Sequence, residues 1–178
     1  MLTEQEVNKI FSWSPYRNSW TVDRNQIDDN IESYYGDLIK ELTKNNLFET
    51  YYSQDGGLSN YLEFICYPTG HNVYDDKAIL ICVSLCAPIA AFGQTTFTKT
   101  IDSWGWGFIK PETIGLVSDN NLADIKNEII GIINKYKLNL LDKEFVCRPL
   151  PNEVIEALKY ENHNEGNQYL HGLFQVTD

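Results

Sequence analysis

Histidines and nearby carboxylates are the residues best suited to chemistry in this chain. His71, Asp75 and Asp76 stand within one short stretch, and His163 and His171 follow towards the C-terminus. Imidazoles and carboxylates can bind a divalent metal or share a proton near neutral pH. Spacing alone does not bring them together, because His71 and Asp75 share one connection while the other two histidines come from far along the chain. A polar hairpin loop and two surface histidines are therefore the simpler expectation, with no metal and no cofactor. The alternative is a small metal-dependent or His/Asp hydrolase built on His71, Asp75, His163 and His171.

Cys66, Cys82, Cys86 and Cys147 all sit among apolar neighbours, which predicts free thiols, buried rather than bridged. On one strand, Cys82 and Cys86 would share a face but stand about 13 Å apart, too far for one metal or one disulfide. A reactive thiolate needs an electropositive, accessible setting, and Cys147 beside Arg148 is the least unfavourable of the four.

Known catalytic patterns do not fit. The metalloprotease, phosphate-loop and nucleophile-elbow spacings are absent. Gly105-Trp106-Gly107 begins like a dinucleotide fingerprint, but no third glycine follows in place and the indole would block a close phosphate. Glu161 to Gly166 has the polarity and glycine of a calcium loop. Yet His163 falls at the third ligand position and Gly172 at the twelfth, where a bidentate carboxylate is required.

The most unusual stretch is Ser103 to Phe108, where Trp104 and Trp106 lie at strand spacing between glycines. Two indoles so placed are either core or a recognition edge, since tryptophan dominates both buried area and binding hot spots.

Charge narrows the partner. Fourteen Lys and Arg stand against 25 Asp and Glu, a net charge of −11 over 178 residues, and no basic run is present. Phosphate neutralisation needs clustered cations, so nucleic acid is not an expected ligand. The acidic surplus favours a basic protein partner through steering and complementary potential. Residues 1–65 carry −6, residues 66–118 carry −1 and residues 119–178 carry −4, so the core is expected in the near-neutral middle. The N-terminal residues lack the basic start and apolar stretch of a secretory signal, and Pro88 interrupts the longest apolar run. A cytoplasmic protein without a membrane span is the expectation.

The elements that must position these residues follow from periodicity. Thr3 and Glu6 form a capping box ahead of Val7, Ile10 and Phe11, which predicts a first helix. Residues 12–24 are aromatic but aperiodic, a loop or short strand. A second helix spans about 25–44 on Ile27, Ile31, Tyr34, Leu38 and Leu42, with Gly36 as its weak point. Asp55-Gly56-Gly57 is a turn, and Leu58 to Tyr67 alternates as a strand until Pro68. Lys77 to Cys86 is apolar on both faces, as a central strand should be. Thr95 to Ile101 and Ile114 to Val117 are further strand candidates. The clearest helix runs from about 121 to 137 on Leu122, Ile125, Ile129, Ile132, Ile133 and Tyr136. Then come a strand at Lys143–Arg148, a helix at Asn152–Tyr160 and a closing strand at Tyr169–Val176.

Together these predict a single α+β domain over residues 1–178, a largely antiparallel sheet covered by helices. The expected role is a small acidic binding or inhibitor protein, monomeric or homodimeric and without enzymatic activity. Immunity proteins that neutralise basic toxins are comparable in size and charge. Asp75, Asp76, Trp104, Trp106, Glu161 and Glu165 are expected at or near the contact. A structural subunit with an apolar face buried in an assembly is a further alternative, to be separated from electrostatic capture by its indifference to salt.

Overall fold

A computed structural model of the chain describes residues 2–11, 27–53, 59–70, 76–99, 104–160 and 167–174, with side chains for all but 27–33, 76 and 157–160. Helix α1 (Glu4–Phe11) starts where the capping box places it. The Thr3 amide donates to Glu6 Oε2 at 2.8 Å, and the Glu6 amide donates to Thr3 Oγ1 at 3.3 Å. Two amides that a helix start leaves without partners are thereby satisfied, and Val7, Ile10 and Phe11 are buried as one stripe.

Helix α2 (Ile27–Thr43) buries Tyr35, Leu38 and Leu42 but leaves Tyr34 45% exposed, which corrects the expected stripe by one residue. The adjacent tyrosines differ by about 100° around the helix, and the Tyr35 hydroxyl is held inward by donating to the Ser84 carbonyl at 2.7 Å. The aromatic stretch at 12–24 and the Asp55-Gly56-Gly57 turn lie outside the described residues.

The strands are β1 (Phe48–Ser53), β2 (Tyr61–Pro68), β3 (Asp76–Ser84), β4 (Ile89–Lys99), β5 (Trp104–Trp106) and β6 (Asn139–Leu140). Strands β1 to β5 pair antiparallel in sequence order, and β6 pairs parallel with the start of β4. β3 is central and apolar on both sides, as its composition requires. Ile79, Ile81 and Val83 pack beneath α2 and the helix α3 (Ala123–Lys135), whereas Ala78, Leu80 and Cys82 face the opposite core. That second core is closed by α1 and by two short helices, α4 (Lys143–Val146) and α6 (Tyr169–Leu173); between these runs α5 (Asn152–Tyr160). The result is an α+β fold, a mostly antiparallel sheet between helical layers. Burying a side chain such as Phe64 or Ile81, both fully inaccessible, stabilises by about 1.5–3 kcal/mol each.

Four expectations change. The central strand expected over Lys77–Cys86 ends at Ser84, and Leu85–Pro88 joins it to β4, Pro88 having no amide to donate to a ladder. Cys86 therefore lies beyond the end of β3 instead of on one strand with Cys82. Ile114–Val117 is irregular: it follows a 3-10 turn at Pro111–Thr113, and Gly115 has φ +73°, which breaks an extended ladder. Lys143–Arg148 begins as helix α4, since Asp142 Oδ1 accepts the Phe145 amide at 2.8 Å and caps its start. Tyr169–Leu173 is helix α6, which buries Leu170, Leu173 and Phe174 at helical spacing.

The outer side of β4 is paired in three pieces. β5 covers residues 97–99, the Gly115 amide and Leu116 carbonyl bond Phe92 and Gln94 at 2.8 and 3.2 Å, and β6 covers residues 89–90. No helix among the described residues is long and apolar enough to cross a membrane.

Candidate functional site

β5 is only three residues long, yet it carries both indoles on one face of the sheet edge. Its register pairs Trp106 with Phe97 and Trp104 with Lys99. Trp106 is half-buried against the core, while Trp104 is 40% exposed. The Trp104 ring stacks on Tyr51 of β1, with centroids 4.5 Å apart and planes at 25°. Tyr51 also lies 5.3 Å from Trp106 and 6.1 Å from Phe97, and Phe97 lies 5.1 Å from Tyr67. Five rings thus pave one end of this face.

That contact has a geometric cause. Four strand spacings in a flat sheet would hold β1 and β5 about 19 Å apart. The 4.5 Å stacking therefore requires the sheet to twist and curl well away from flat, bringing Tyr51 of β1 against Trp104 of β5 on the face that also carries Ile65, Leu80 and Gly93. Ile109 crosses over Gly93 so closely that an added Cβ would meet it at 2.6 Å. The chain leading there from β5 is anchored where Thr95 Oγ1 donates to the Gly107 carbonyl at 2.6 Å. Phe108, 37% exposed, meets Tyr61 edge-on at 6.0 Å, at the opposite end of β2 from Tyr67.

Charged groups border the rings. The Lys99 ammonium sits 4.3 Å from the Trp104 ring centre. Exposed Glu49 accepts the Gly70 amide at 3.2 Å; burial, reinforced by this carboxylate, raises the Tyr67 phenol above its ordinary range. The backbone of Asp76 pairs with Phe97, on the same row as Trp106. Of the six residues expected at a contact, the fold brings Trp104 and Trp106 together and places Asp76 at the same end of the sheet. Asp75, Glu161 and Glu165 lie outside the described residues.

Of the hydrolase set, His71, Asp75 and His163 also lie outside the described residues. His171 is half-buried on α6, where burial lowers its pKa against the opposing effects of the Gln168 carbonyl and Glu112. Among the described residues no group of three His, Cys, Asp or Glu side chains is placed to hold a metal ion. Burial pushes the Cys66 and Cys86 thiols up to about 12 and Cys82 well above its ordinary value, so none of these is a ready nucleophile. A cleft of about 450 Å³ between α1, β6 and α4 holds carboxylates too, but Glu6 and Asp142 there serve as helix caps.

Tyr51, Phe97 and Lys99 are site residues that the sequence reading missed. Phe48-Glu-Thr-Tyr-Tyr-Ser is rich in strand formers and is followed closely in sequence by Asp55-Gly56-Gly57, a signal sufficient to find β1. That Tyr51 meets Trp104 across the sheet has no local signal at all.

Comparison with known protein families, curated proteins and solved structures finds no match to this chain.

Proposed function

We propose that this chain is a binding protein of the inhibitor type, similar in kind to immunity proteins, and that it captures a basic protein partner from the cytoplasm. The observation that carries this reading is Trp104, an indole 40% exposed at the sheet edge and held in place by Tyr51. A large, rigid aromatic offers binding area with few rotors to freeze, which is why such residues anchor interfaces. The net charge of −11 supports a basic partner, because long-range attraction raises the association rate.

The test is capture of partners by tagged wild-type protein and by Trp104→Ala from the native cells, with washes at low and high salt and mass spectrometry of what is retained. A single basic protein, held in stoichiometric amount by the wild type, weakened by salt and lost with Trp104→Ala, is the expected result. Retention of no basic protein at low salt would overturn the reading.

A further inference from the structure

Resting on the binding reading above, we propose that Trp104 receives a lysine or arginine side chain of the partner, and that Lys99 is the intramolecular cation which that side chain displaces. Lys99 and Trp104 are cross-strand neighbours, and the ammonium lies 4.3 Å from the ring centre, inside the roughly 6 Å reach of a cation–π contact. The indole face is thus already used to hold a positive charge. Lys99 is itself exposed, so releasing its flexible stem into water costs little and returns rotamer freedom.

The receiving ring is better fixed than the cation. Tyr51 stacks on Trp104, Trp106 packs against Tyr51, and Phe97 lies 5.5 Å from Trp104. An incoming side chain therefore meets a surface with its ordering cost already met by the fold. A guanidinium is the better replacement, since it is planar, stacks on aromatic faces and is more weakly hydrated than an ammonium. The acidic surplus of the chain attracts such a partner, and the indole gives the attraction a defined contact point.

The probe is a peptide of nine arginines, titrated into the full chain at low salt, with affinity measured by calorimetry. The tryptophan indole N–H signals are followed by NMR and assigned with Trp104→Phe. Trp104 should show the largest shift. Lys99→Met should tighten binding by about two- to fivefold, the range of an exposed cation–π contact. Lys143→Met, an equal charge change on α4, should alter affinity far less. Trp104→Leu, which keeps apolar bulk without the π face, should weaken binding by a similar factor. Equal effects of Lys99→Met and Lys143→Met, or wild-type affinity in Trp104→Leu, would overturn the proposal. A captured basic partner whose affinity ignores Trp104→Leu would remove this contact while leaving the binding reading standing. Failure to capture any basic protein would remove the binding reading and, with it, the partner contact proposed for Trp104.

Discussion

Replacing Gly172 by alanine should destabilise the protein, although alanine is the better helix former. A Cβ at this position of α6 would lie 2.6 Å from Leu150 Cδ2 and 2.7 and 2.8 Å from two ring carbons of Phe11. Carbon atoms prefer about 3.5–4.0 Å, so three contacts are short by roughly 1 Å. Phe11 and Leu150 are both buried, at 7% and 4% exposure, and have little open space to retreat into. Overpacking of this kind costs about 1–3 kcal/mol, against a helix-propensity gain of at most about 1 kcal/mol. At mid-range, about 2 against about 1 kcal/mol, the net loss is about 1 kcal/mol, which should lower Tm by roughly 2–4 °C in a chain of this size. Scanning calorimetry gives Tm, and urea denaturation should show a lower midpoint with an unchanged slope. Shortening the ring with Phe11→Leu in the Gly172→Ala background should recover part of the loss, a favourable coupling of about 1 kcal/mol in a double-mutant cycle. An unchanged or raised Tm in Gly172→Ala would refute the seating of α6 on α1. A strand at this position would gain about 0.5–1 kcal/mol from the same substitution.

Gly131→Ala should act with the opposite sign: it lies exposed in α3 with nothing within 4 Å of an added Cβ, so stability should rise by about 0.5–1 kcal/mol, read as a higher urea midpoint. Glu41 accepts from Lys135 Nζ at 2.5 Å and from the Tyr136 hydroxyl at 2.9 Å, bonds that hold its carboxyl below the ordinary 4.5. Its contribution is therefore complete above pH 4.5 and lost as pH falls through the lower folded value. Carboxyl NMR should show that depressed midpoint, and Glu41→Gln should flatten the stability profile over the same interval. Labelling with a disulfide reagent under native conditions should reach Cys147 first, with Cys66, Cys82 and Cys86 reacting only on unfolding; Cys147→Ser should remove the fast phase.

Local rules settled those parts of the fold whose neighbours in sequence are also their partners. Thr3 and Glu6 satisfy each other three residues apart, so the start of α1 is written in the chain. Ile125, Ile129, Ile132 and Ile133 form one stripe, which only a helix can bury together. The two-sided apolar character of residues 77–86 requires cover on both faces, hence a central strand, which ends at Ser84. Residues 143–148 and 169–173 misled because short apolar stretches suit either period. Asp142 decided the first by capping α4, and for the second the seat that Phe11 and Leu150 provide for α6 is built from residues distant in sequence.

The charge of −11 and the two indoles at strand spacing belong to the sequence alone. What only tertiary structure decided is that Trp104 stays exposed while Phe97 is buried, and what holds the indole. Tyr51 and Trp104 are separated by 53 positions and by the whole width of the sheet, and no periodicity relates them. They meet only if the sheet departs from flat across all five strands, a property of the strands acting together.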